Sequence, residues 1–79
     1  MNQRNIYYPP DFCLRYIKTR SKPTEILGIH VGADNRITVT ILLFNAARVI
    51  VVSRADFFEL YSKGTLVGKG FELPGWINL

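Results

Sequence analysis

A chain of 79 residues with 48% hydrophobic, 20% charged and 13% aromatic side chains and a net charge of +4 is sized for one small domain around a single core, not for a disordered or multidomain protein. The only cysteine, Cys13, excludes an intrachain disulfide and a four-thiolate zinc site, and the apolar runs at 41–44 and 49–52 are far shorter than the roughly 20 residues that span a bilayer. The polar start MNQRNIYYPPDF, with its two prolines, has no apolar stretch of secretory type, so a cytoplasmic location and no membrane partner are expected.

Residues 1–11 read as an N-terminal arm. In the following FCLRYIKT, residues 12–19, Phe12, Leu14 and Tyr16 alternate with polar or small neighbours, which predicts a first strand entered through the extended Pro9-Pro10 pair. TEILGIHV, residues 24–31, predicts a second strand. A turn over 20–23 would set Cys13 opposite His30 and Arg15 opposite Gly28. The stretch Gly32-Ala-Asp-Asn-Arg36 then signals a three-residue hairpin loop with Asn35 in the left-handed conformation. That loop aligns Leu27, Ile29 and Val31 with Ile41, Val39 and Ile37 on one face, and Gly28 and His30 with Thr40 and Thr38 on the other.

Alternation breaks at Leu42-Leu43-Phe44, where Leu42 and Phe44 point away from the Ile37, Val39, Ile41 and Leu43 face. After a predicted Asn45-Ala-Ala47 turn, the strand at 49–52 is apolar on both sides and calls for cover on both. Ser53 as N-cap, with Asp56 three residues on and Val52 and Phe57 at the positions of a hydrophobic staple, predicts a helix from Arg54 to about Lys63. Phe57, Leu60 and Tyr61 form its inward stripe and Gly64 its stop. A short strand at 65–67 follows, and residues 68–79 read as an irregular apolar tail that must dock somewhere.

These elements predict an α+β fold: a small curved antiparallel sheet of four to five strands, in β-β-β-β-α-β order, with one helix packed on it. The order is similar in outline to small SH3-like barrels, in which a helical turn separates the last two strands. The resemblance covers organisation only and implies no function.

The residues carry little sign of catalysis. Cys13 and His30 are the nearest thing to a nucleophile and base, yet no third group orients the histidine. Asp11, Glu25 and Asp34 do not fall at ligand spacing with them, so no metal or other cofactor is expected. GTLVGKG at 64–70 lacks the phosphate-loop pattern, because Lys69 is followed by Gly70 and the stretch follows a helix. No carboxylate pair stands out for acid–base work. The chain is therefore expected not to be an enzyme.

Charge is the clearest functional signal. Residues 1–22 hold Arg4, Arg15, Lys18, Arg20 and Lys22 against Asp11 alone, whereas residues 23–79 hold five cations and five acids, so the whole excess lies at the front. Interleaved with Tyr7, Tyr8 and Tyr16, these cations suit a nucleic acid, with phosphates neutralised and unpaired bases stacked, although Tyr16, on the face of Phe12 and Leu14, is expected in the core. The expectation is a non-catalytic binding protein whose basic N-terminal hairpin contacts nucleic acid through Arg4, Arg15, Lys18, Arg20 and Lys22. The alternative is a protein-interaction factor, an inhibitor or assembly subunit of phage or plasmid type, acting through Leu42, Phe44, Phe71 and Trp76. A homo-oligomer fits either expectation, because so short a chain has a thin stability margin.

Overall fold

The computed structural model describes residues 6–68, in the order α1 (Pro10–Thr19), β1 (Thr24–Val31), β2 (Arg36–Leu43), β3 (Ala46–Ser53), α2 (Arg54–Ser62) and β4 (Leu66–Val67). The fold is α+β, with two helices on a four-stranded mixed sheet of strand order β3-β2-β1-β4. Among the described residues β3 and β4 are the two edges and do not pair with each other, so the sheet does not close into a barrel. Of the expected sites, Arg4, Phe71 and Trp76 lie outside the described residues, as does all but the first residue of the 68–79 tail.

The expected first strand is a helix. Pro10 occupies the first helical turn, where the missing N–H costs nothing, and Asp11 follows it in the same turn. The Cys13 amide closes the first helical bond to the Pro9 carbonyl at 3.0 Å. Cys13 and Ile17, one helical turn apart, are fully buried, with Leu14 packed beside them. The Phe12, Leu14 and Tyr16 alternation is thus incidental to a 3.6-residue period. With the strand go the N-terminal hairpin and the Cys13–His30 pairing: Cys13 is buried on the helix side, while His30 is exposed on the opposite face of β1.

The central meander largely follows the expected register. β1 and β2 are antiparallel, with Val31, His30, Ile29 and Gly28 paired to Ile37, Thr38, Val39 and Thr40. Asn35 has φ 64°, and the Gly32 amide donates to the Arg36 carbonyl at 2.7 Å, closing the three-residue loop. A bulge after Ile26 shifts the rest, so Ile26 instead of Leu27 faces Ile41 and is buried, while Leu27 turns outward.

The second turn is tighter than expected. β2 and β3 pair from Arg36–Ser53 to Leu43–Ala46, leaving only Phe44 and Asn45 between them, with φ of 54° and 59°. Two consecutive positive φ values make a type I′ hairpin turn, whose usual Asn-Gly signature is replaced here by Phe-Asn.

α2 matches its expected signals closely. The Ser53 hydroxyl accepts from the Asp56 amide at 3.1 Å, Phe57 and Leu60 are buried, and Gly64 at φ 84° receives the chain. Bonds from the Thr65 amide to the Leu60 carbonyl and from the Gly64 amide to the Tyr61 carbonyl complete a Schellman stop. β4 then pairs parallel to β1, Leu66 with Thr24 and Val67 with Glu25, where the expected sheet was wholly antiparallel. α2 is the crossover that makes this direction available.

Both helices lie on one face. A single core joins Cys13 and Ile17 of α1, Phe57 and Leu60 of α2, and the inward side chains Ile26, Ile37, Val39, Ile41, Leu43, Ile50, Val52 and Leu66. No helix among the described residues is long and apolar enough to cross a membrane.

Cys13 is therefore a packing residue. Burial pushes its thiol above the ordinary value, with the nearby Arg48 charge opposing the shift in part. Its sulfur donates only a long 3.7 Å contact to the Tyr8 carbonyl. The folded state holds the proton that the unfolded chain gives up, so this contribution to stability is complete at neutral pH and is lost as pH rises into thiol titration. Ellman's reagent should therefore react with Cys13 only at the rate of unfolding, and the urea midpoint should fall at alkaline pH less in Cys13→Ala than in the unmodified chain.

Candidate nucleic-acid interface

One end of the sheet gathers aromatic and cationic side chains from three parts of the chain. Tyr8 precedes α1, Phe12 and Tyr16 lie one turn apart on it, and Phe44 projects from the β2–β3 turn. Tyr8 stacks on Phe12 with centroids 5.1 Å apart and meets Phe44 at a tilt at 4.8 Å, while Tyr16 stacks on Phe12 at 6.1 Å and meets Phe44 at a tilt at 4.9 Å. Aromatic pairs at these separations contribute about 0.5–1.5 kcal/mol each beyond area burial.

Phe44 is an unusual residue for its backbone. An aromatic side chain in the left-handed region costs roughly 1–2 kcal/mol, which Asn or Gly would avoid. The rings of Tyr8 and Tyr16 offset that cost. Even so, 41% of Phe44 stays exposed, as do 37% of Tyr16 and 79% of Tyr7. A strained position that keeps a ring at the surface marks a candidate site.

Arg48 ties the cluster together. It stands on β3 at the inward register of Ile50 and Val52, opposite Ile41, where an apolar residue would be the default. Its Nε donates to the Leu43 carbonyl at 3.1 Å and Nη1 to the Ile6 carbonyl at 2.6 Å, while the guanidinium lies 4.6 Å from the Tyr8 ring centre and 5.7 Å from that of Phe44. It thereby pins the segment before α1 against the hairpin. The sequence marks it only as a lone cation in phase with the buried positions of an apolar strand, a signal absent from the expected site.

The expected cations are not all brought together. Arg15 is exposed on the crest of α1, about 200° around the helix from buried Cys13 at 100° per residue. Arg20 caps α1, its amide bonded to the Tyr16 carbonyl at 3.2 Å and its guanidinium 5.8 Å from the Tyr16 ring centre. Lys22 is exposed in the connection to β1. Lys18 faces the other way, into a cleft lined by Asp56 and Glu59 of α2. Among the described residues only Lys63 has a carboxylate within ion-pair distance, Glu59 at 3.3 Å, so Arg15, Arg20 and Lys22 keep their charges available.

Leu42 and Phe44, expected to share a surface, are on different sides. Leu42 pairs with Ala47 on the face away from both helices, and Phe44 lies against the α1 rings. No group of three or more His, Cys, Asp or Glu placed to hold a metal occurs among the described residues. The chain matches no family model, no curated protein and no solved structure, so this surface itself is what bears on function.

Proposed function

We propose that the protein is a non-catalytic nucleic-acid-binding module that uses the α1 end of the molecule. The observation that supports this most directly is Tyr16, an exposed ring backed by Phe12 and Phe44 and flanked by the guanidinium of Arg20. A ring so braced presents a ready stacking surface, and Arg15, Arg20 and Lys22 supply positive charge beside it. Exposed stacking favours unpaired bases over duplex. A protein-interaction role through a joint Leu42 and Phe44 patch has less support, because those side chains lie on different sides of the molecule.

Fluorescence anisotropy with labelled single- and double-stranded oligonucleotides tests this reading. For three phosphate contacts on a single strand, affinity should fall about 20-fold between ~50 and ~200 mM salt. Tyr16→Ala should weaken single-strand binding by the roughly 1–3 kcal/mol of one lost stack. Replacing Lys18 should matter less than replacing Arg20. Absence of binding to either oligonucleotide at low salt would overturn the proposal.

A further inference from the structure

We infer that the hollow between the segment before α1 and the edge of β3 is a pocket for one unpaired nucleobase, held by the outward backbone groups of Val49, an inference that rests on the nucleic-acid reading of the α1 surface. Tyr7, Tyr8 and Pro10 wall the hollow on one side and Ala47, Arg48 and Val49 on the other, around a volume of about 350 Å³. Ligand sites run from roughly 300 to 1,000 Å³, so a volume at the low end suits a single heterocycle.

The register shows what β3 offers there. Leu43 and Ala46 close the two-residue turn as a hydrogen-bonded pair, so Ala46, Arg48, Ile50 and Val52 bond to β2. Ala47, Val49 and Val51 then turn their N–H and C=O groups away from β2, along an edge that pairs with no other strand among the described residues. Val49 thus presents one donor and one acceptor side by side at the hollow. An unstacked base carries a matching acceptor and donor on its Watson–Crick edge.

Length, rings and charge favour a base over an added peptide strand or a second copy. The hollow runs along Ala47 to Val49 only, about 10 Å at roughly 3.4 Å per residue, whereas a paired strand would continue along Val51. Tyr7 supplies an exposed ring and Tyr8 a ring braced on Phe12, and every base has a face that can lie on them. Among the described residues no carboxylate lies within ion-pair distance of Arg48, so its charge attracts the phosphate attached to the base. Tyr7 and Arg48 also line an adjoining hollow that reaches Phe44, which makes the pocket continuous with the aromatic surface around Tyr16.

Proline removes the donor and spares the ladder, because the Val49 N–H makes no bond to β2 and an edge strand tolerates proline at such a position. With a single-stranded oligonucleotide followed by fluorescence anisotropy, Val49→Pro should weaken binding roughly three- to ten-fold, the worth of one hydrogen bond. Tyr7→Ala should weaken it at least about five-fold, the lower end for one lost stack. Val51→Pro, whose N–H points the same way but outside the hollow, should leave affinity unchanged. All three variants should bind an abasic strand of the same length as well as the unmodified chain does, since that strand keeps the phosphates and lacks the bases. If circular dichroism shows that Val49→Pro does not fold, Tyr7→Ala, outside the sheet, decides the matter. Equal losses in Val49→Pro and Val51→Pro, or losses that persist on the abasic strand, overturn the pocket. So does affinity that ignores Val49 and Tyr7 while still falling in Tyr16→Ala, an outcome that leaves the α1 reading intact. No binding to any strand at low salt overturns both.

Discussion

Phe57→Ala is expected to lower the unfolding free energy by about 3–5 kcal/mol, the range for deleting a fully buried aromatic ring. Phe57 is completely buried, and its ring stacks on Tyr61 with centroids 6.0 Å apart. It also joins α2 to the inward face of the sheet within the same core as Cys13 and Ile17 of α1. Small domains have roughly 5–15 kcal/mol of stability in total, so this one truncation removes a large share. Urea unfolding followed by circular dichroism measures it. Phe58→Ala, at the neighbouring exposed position, should change stability by less than about 0.5 kcal/mol. A near-equal effect of the two substitutions would mean that α2 does not present the face described.

The second large effect is expected at Arg48. Arg48→Ala removes two charge-assisted bonds to backbone carbonyls and the stacking on Tyr8, a loss of about 2–4 kcal/mol. Lysine should not restore it, because a single ammonium cannot reach the Leu43 and Ile6 carbonyls in the planar arrangement of a guanidinium. The damage should be local as well as global. Chymotrypsin should cut after Tyr7 faster in both Arg48→Ala and Arg48→Lys, since the segment before α1 loses its anchor. Unchanged cleavage would remove Arg48 from this role.

The parts of the fold legible in the sequence are those governed by local chemistry. Ser53, Asp56 and Gly64 mark α2 through bonds between near neighbours, and Asn35 sets the β1–β2 loop by the backbone conformation it tolerates. Residues 12–19 defeated the same approach because they satisfy two periods at once. Phe12, Leu14 and Tyr16 alternate as in a strand, while Cys13, Leu14 and Ile17 repeat as in a helix. Pro10 and Asp11 break the tie in favour of a helix start, a role that Pro9-Pro10 read as an extended pair conceals. The parallel pairing of β4 was out of reach for a different reason: two residues carry no pattern, and their partner Thr24 is distant in the chain. The candidate site was half legible. Arg15 and Arg20 stood out by charge, but Tyr16 reads as a core residue while residues 12–19 are taken for a strand, and Arg48 and Phe44 join them only once α1 is folded over β3.

The position of β4 sets an order of assembly. β1, β2 and β3 are linked by short turns and can pair by local search, whereas β4 meets β1 only after the whole meander and α2 have been strung between them. Closing that long loop costs entropy that two residue pairs return poorly. The meander should therefore form early, with α2 docking next and β4 last. In hydrogen exchange, the Leu66 and Val67 amides should open first and the β2 amides last, making β4 the latch of the fold.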